Sequence, residues 1–430
     1  MARVPPLPGV GAATARRVAV ALLSLVLSAG PVVAATWQIE AGADLAAAVA
    51  RAAPGDTLRL ATGRHNGPVV IDRPLHLEGA EGAIVDGGGS GTVIAIDAAD
   101  SSLSGLTIVG SGASLEHEDS GVFVTKNGDR VLIEGNRLDG NLIGVFLKGP
   151  ESAVVRGNRI TGRNDLRVNE RGNGVQLWNT PGSVVEDNVI RFGRDGIFVT
   201  TSHHNRFSGN SFRDLRFAIH YMYTNDSEVS GNLSVGNHVG YALMFSDRLR
   251  VLGNRSRGDR DRGLLLNYAN GSQIEGNVVT GDGNGPEKCV FIYNANKNRL
   301  FGNRFEGCAI GVHFTAGSER NEIAGNAFVG NRNQVKYVST RLVEWSSEKR
   351  GNYWSDNAGF DLDGDGLADR PYRPNDLVDQ IVWRHPLAKL LLSSPALQVL
   401  RWSQSEFPAL RPGGVIDSAP LMAPPLDEAG

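Results

Sequence analysis

The chain has 430 residues, 54 of them glycine and two cysteine, and a formal charge of −3. Apolar residues at 41% suffice for a core and argue against global disorder. The near-neutral balance argues against a nucleic-acid partner, which calls for a basic stripe.

Taken in chain order, residues 1–34 read as a secretory signal peptide. Arg16 and Arg17 precede VAVALLSLVLSAG, an apolar run short for a membrane span, and PVVAATW offers small-residue cleavage near Ala34 or Ala35. An uncleaved anchor is the alternative. Cleavage removes Arg3, Arg16 and Arg17 and no acids, which leaves −6. No later run of about 20 apolar residues follows, so the protein is expected outside the cytoplasm, most simply in a bacterial periplasm. Cys289 and Cys308 are free to pair there, although spacing alone does not show a bond.

ADLAAAVARAAPGD carries a helix-starting Asp44, an Ala/Leu-rich run and a Pro-Gly stop. It is expected to cap the open end of a solenoid. From VVIDRPLHLEG onward looser coils lead into a regular repeat. A Gly-Asn or Asp-Asn pair recurs with its Asn at 136, 158, 188, 210, 232, 254, 277, 303, 326 and 352. Most steps are 22 or 23 residues, two are 26 and one is 30. Short alternating runs such as GVFV, GIFV and GLLL lie between these corners. That period predicts an all-β fold, a right-handed parallel β-helix over 35–350 with Asn stacked in an internal ladder. The eight extra residues of the 30-residue step fall in GRNDLRVNERG, roughly 162–172, read as a solvent loop or a partner contact.

Strand alternation assigns two outward rows. The first reads Phe123, Phe146, Gln176, Phe198, His220, Ala242, Leu265, Phe291, His313, Lys336, and the second Thr125, Lys148, Trp178, Thr200, Met222, Met244, Asn267, Tyr293, Thr315, Val338. Met222 and Met244 become vertical neighbours, with His220 on the same face and small Ala242 above it, which is expected to leave room. One imidazole and two thioethers form a soft donor set suited to Cu(I). His203 or His204, from the turn below, is available as a fourth donor. The other reading is an aromatic, Met-bearing protein-binding face. The rows contain no Asp or Glu, and Asp187 and Asp195 sit near corners without an evident partner. Paired carboxylates for sugar chemistry are therefore not apparent, and a non-enzyme is expected, with an extracellular polysaccharide-modifying lyase, hydrolase or epimerase as the alternative.

Residues 351–385 hold DLDGDGLAD. Asp361, Asp363, Asp365 and Asp369 fall at positions 1, 3, 5 and 9 of a calcium-type loop, with the Leu367 carbonyl at position 7. Tyr372 stands where such loops place Glu, so Asp376 or Asp379 is the expected source of the missing oxygens for Ca²⁺ or a similar divalent cation. Residues 386–430 read as a tail, with apolar helical runs broken at Pro386 and Pro395 and an irregular Pro-rich end beyond Pro408.

These features together resemble the NosD family of periplasmic accessory proteins in nitrous oxide reductase maturation. The resemblance rests on the coils and, above all, on GNYWSDNAGFDLDGDGLADRPYRPNDLVDQIVWRHP and AKLLLSSPALQVLRW. It implies a β-helix joined to an ABC permease and its ATPase. It further implies a copper chaperone as donor, and a role in assembling the reductase's copper–sulfide centre from copper, sulfur or both. Membrane association would run through the permease only, contacted by the apolar C-terminal runs.

Overall fold

The computed structural model describes residues 34–425 apart from 284, 338, 340, 392–393 and 408–412; the expected signal peptide and Val338 lie outside the described residues. The chain winds as a right-handed parallel β-helix of about 14 turns. Three parallel sheets of 13, 12 and 13 strands run the length of the stack. The count exceeds the ten regular coils because the looser N-terminal coils pair into the same sheets.

Each short strand turns one face inward. Val122, Val124, Val145, Leu147, Val175, Leu177, Ile197, Val199 and Ile219 lose all solvent contact in a continuous core. The recurrent Asn residues stand buried at one corner. Each side-chain amide donates to the Oδ1 of its counterpart in the next coil, at 2.9–3.1 Å from Asn136 through Asn352, and the same Oδ1 accepts the backbone N–H of the residue below. Each bond is worth about 1 kcal/mol net, and the preceding glycines, such as Gly209 and Gly231, take the positive φ that the corner requires.

Both ends are closed. Helix α1 (Leu45–Arg51), capped by the Asp44 carboxylate on Ala47 N–H, packs Leu45, Ala48 and Val49 over the first coil. At the other end Phe328, Trp345, Trp354 and Tyr372 stack, with ring centroids 4.4 Å apart for Phe328–Trp354 and 4.7 Å for Trp354–Tyr372. The far C-terminus differs from the irregular tail expected. Gly414–Ile416 pairs in parallel with Leu342–Glu344, and the next residue, Asp417, is fully buried. Its Oδ2 accepts from Asn352 N–H (2.7 Å), Asn352 Nδ2 (3.3 Å) and Trp354 Nε1 (2.8 Å), so a carboxylate from the tail supplies the ladder's last rung. The helical runs do break at Pro386 and Pro395, and Pro395 also starts the next one. It opens α3 (Pro395–Glu406) behind the Ser394 cap, after α2 (Leu377–Arg384). Cys289 and Cys308, left open by spacing, form a disulfide with Cα atoms 5.7 Å apart.

A second buried corner carries an acid. Asn237 Oδ1 accepts from Leu215 N–H, and one coil on Asp259 takes the same place, accepting from Asn237 N–H and from the Ser234 and Ser256 hydroxyls. Burial pushes its carboxyl up to about 6 against these hydrogen bonds. A raised folded pKa favours the fold while the group is protonated, and that contribution is lost as pH rises from about 4 through about 6. Asp259→Asn is expected to remove this loss. In denaturant titrations its stability relative to the parent should climb between pH 4.5 and 7.5, by up to about 3 kcal/mol.

Candidate functional site

The 12-stranded sheet carries both outward rows in the register that alternation assigns. Phe198, His220, Ala242, Leu265, Phe291 and His313 pair in sequence, as do Trp178, Thr200, Met222, Met244, Asn267 and Tyr293. Met222 lies directly beneath Met244, and His220 stands two residues before Met222 on the strand Phe217–Asn225. All three side chains are part-buried.

His220 is held from behind. Asp195, at the start of the strand Asp195–His203, is fully buried and meets His220 Nδ1 at 3.0 Å. The carboxylate is an acceptor, so Nδ1 carries a proton, and in the neutral ring the lone pair is then on Nε2. Arg216 donates to both Asp195 oxygens at 2.8 and 2.6 Å. Burial drives the Asp195 carboxyl up, but the His220 and Arg216 hydrogen bonds outweigh it and hold the group below the usual carboxylate range. Phe198 and Phe217 flank the imidazole at centroid distances of 5.0 and 4.7 Å. Asp195, which lacked an evident partner in the sequence, is thus the best-partnered acid on this face. Only its place 22 residues before Phe217, next to Arg216, offered a signal.

Two expectations fail. Ala242 leaves no open gap above His220: it is fully buried with Val239 and Leu265 in a small cluster against which Phe217, Met244 and Phe291 pack. His203 and His204 do not close the donor set. They lie at the far end of the strand beneath, exposed, ring against ring at 5.0 Å and beside Asp226. The side chain that sequence reasoning passed over is Asn267. It is next above Met244, and its Oδ1 is buried without a hydrogen-bond partner. Beyond the methionines a ladder of Tyr223, Phe245, Tyr268 and Tyr293 stacks at 5.2–5.9 Å. The Met pair therefore lies beside a partly exposed aromatic ladder, in surroundings that suit soft thioether ligation.

In the Asp-rich loop, Asp361, Asp363 and Asp365 bring ligand oxygens within 4.8 Å of one another, and Asp369 is outside that group. Asp369 instead accepts Leu362 N–H at 2.8 Å. The Asp365 N–H bond lowers the Asp363 pKa, but the Asp365 charge and the Asp361 contact outweigh it, so the carboxyl is held above its usual range. Asp376 and Asp379 do not complete the loop: they form the capping box of α2. Tyr372 turns away to donate to Asp356 at 2.8 Å.

The family described as "Periplasmic copper-binding protein (NosD)" matches residues 156–359. A Pseudomonas aeruginosa protein named "Probable ABC transporter binding protein NosD" is 44% identical over 404 residues, covering 89% of this chain and 94% of that relative. A Stutzerimonas stutzeri protein of the same name is 40% identical over 381 residues, covering 86% and 87%. Among solved structures, the Streptococcus pneumoniae surface adhesin PfbA aligns with a TM-score of 0.56 at 12% identity over 68% of this chain and 94% of its own. The Dettilon tailspike protein aligns at 0.50 and 16% identity, over 69% and 64%. These two share the fold alone.

Replacing Asp195 by Ala leaves the Arg216 guanidinium and the imidazole without their shared carboxylate. The expected cost is about 2–3 kcal/mol at pH 7, read from denaturant unfolding. Because the folded pKa is depressed, this cost should shrink as pH falls below about 4.

Proposed function

The chain belongs to the NosD family, and we propose that it is the periplasmic binding subunit of an ABC transporter that holds Cu(I) on the His220–Met222–Met244 face. It would take the ion from a copper chaperone and support delivery of copper, sulfur or both into the copper–sulfide centre of nitrous oxide reductase. The observation that carries this reading is the Asp195–His220 pair beside two vertically stacked thioethers. The carboxylate fixes the tautomer that presents Nε2, the nitrogen a metal needs. Copper is cargo here, so a part-open set of three donors suits both loading and release. The unsatisfied Asn267 oxygen, next in the column, is placed to orient a water at the site.

The relatives bear the name of a binding protein, which argues against the polysaccharide-modifying alternative. Among the described residues no helix is long and apolar enough to cross a membrane. The C-terminal segment nonetheless exposes Leu387, Leu390, Leu391, Val399, Trp402 and Phe407. An apolar surface of that kind supports docking to the permease, with the ATPase behind it. We also infer that Asp361, Asp363 and Asp365, with the Leu367 carbonyl, hold Ca²⁺ or a similar divalent cation that braces this segment; Asp369 braces the loop backbone.

Titration of the purified protein with Cu(I) against a competing chelator should give tight one-site binding. The Met222→Ala/Met244→Ala double variant should bind more than about 100-fold more weakly, and Asp195→Asn about 10-fold. Equal binding by parent and double variant would sink the site. For the loop, millimolar Ca²⁺ should raise the melting temperature by about 2 °C or more. Asp363→Asn/Asp365→Asn should abolish that shift.

A further inference from the structure

The insertion at 162–172 does not hang free in solvent. It folds beside the edge of the coil stack and forms one wall of a half-open cavity of about 570 Å³. The walls combine apolar and cationic groups: Val168 and Arg171 from the insertion, Phe192 and Leu215 from two corners, and Arg216 and Arg260 from the coils above. His238 also lines the cavity, and Asp214 is the one carboxylate that does.

The basic residues arise from the repeat. Arg194, Arg216, His238 and Arg260 recur every 22 residues at the entry to successive outward strands. Backbone bonds such as Arg216 N–H to Arg194 O (2.8 Å) and Arg260 N–H to Asn237 O (2.9 Å) stack them. The column therefore spans three coil steps, about 14 Å. The stack sets Arg216 and Arg260 two coil steps, about 10 Å, apart on the cavity wall, with the His238 ring between them. Asp195 neutralises Arg216 from inside, whereas Asp214 is the only lining carboxylate available to Arg171, Arg260 and His238. Arg171 uses Nε and Nη2 to hold the insertion's own Leu166 and Asn164 carbonyls, at 2.9 and 3.5 Å, which fixes the guanidinium over the opening.

We propose that this cavity is a binding site for a small organic anion, a carboxylate carried on an apolar body. With the Arg216 and Arg171 forks held by Asp195 and by the insertion's carbonyls, the Arg260 guanidinium is the fork placed to take a carboxylate in plane through paired hydrogen bonds, and the other two add positive charge around it. Val168, Phe192 and Leu215 supply the apolar wall for the rest of the molecule, and the volume suits a ligand of that size. The inference is independent of copper: no residue of the His220–Met222–Met244 set lines the cavity. Arg216 stands between the two, with one side on the cavity and its hydrogen bonds on Asp195.

Benzoate is the probe, with acetate and uncharged benzamide beside it, in calorimetric titrations of the purified protein at low salt. Benzoate should saturate one site below about 10 mM. Acetate should bind at least about 3-fold more weakly and benzamide at least about 10-fold. Arg260→Gln should weaken benzoate by about 5-fold or more. Arg216 is unsuitable for this purpose because its loss would strip Asp195 of its partner. Val168→Asp is the second variant: Val168 is 39% exposed, so the fold is spared while a repelling charge enters the wall. It should abolish benzoate binding with an unchanged melting temperature. Failure of benzoate to saturate, equal binding of benzoate and benzamide, or full affinity in both variants would overturn the proposal.

Discussion

Every lateral relationship in this molecule depends on one repeated hydrogen bond, that from an Asn side chain to the same Asn in the next coil. A stack of short strands would otherwise slip in register at little cost, since a two-residue shift keeps the same face inward. The buried amides remove that freedom. A slipped coil leaves a donor and an acceptor unpaired away from water, each costing about 1–3 kcal/mol. Register is thereby locked for the whole rod, and a 22-residue separation becomes vertical contact. The Met222–Met244 pair, the aromatic ladder and the basic column all follow from it. The chain closes the ladder with Asp417, a residue 65 positions beyond the last Asn, so the C-terminal tail belongs to the same cooperative system.

Asp195 shows how such a lattice admits a charge. A carboxylate with no solvent exposure is tolerable only when paired and hydrogen-bonded. The coil above supplies both partners, Arg216 and His220. The acid is held in place by a cation from the cavity side and orders an imidazole on the donor side. Asp259 follows the opposite course. Hydroxyls and a backbone N–H surround it, among the described residues no ion pair reaches it, and burial raises its carboxyl against the Arg260 charge. Two buried aspartates in one fold thus shift in opposite directions because of what the adjacent coil offers.

What could be read beforehand followed from period. Alternation and a 22-residue step are enough to place His220 under Ala242 and Met222 under Met244, because both rules act within a strand and between equal strands. Corners obey neither rule. Asp195 reaches His220 across a coil boundary, and the insertion returns over a cavity whose other walls are 21 to 89 residues from Arg171. Volume was equally hidden: register shows that Ala242 is small, but not that Phe217, Leu265 and Met244 fill the space around it. Of the acids that the Asp-loop spacing aligns, Asp361, Asp363 and Asp365 converge and Asp369 does not. The spacing could not show that Asp376 and Asp379 serve a helix N-terminus instead, since a capping box and a ligand pair use the same residue types.

The placement of the donor set along the rod has a consequence for the proposed role. His220 and Met222 lie five coils before the last strand of their sheet, a separation of about 24 Å. The exposed apolar residues of the C-terminal segment follow that last coil in the chain. A subunit anchored through this segment leaves its lateral face uncovered, so a donor protein can approach His220, Met222 and Met244 without displacing the transporter. The rigidity of the stack then matters as much as the ligands. A rod whose coils cannot slip presents the same face at the same height after each encounter, and loading does not require the protein to reorder.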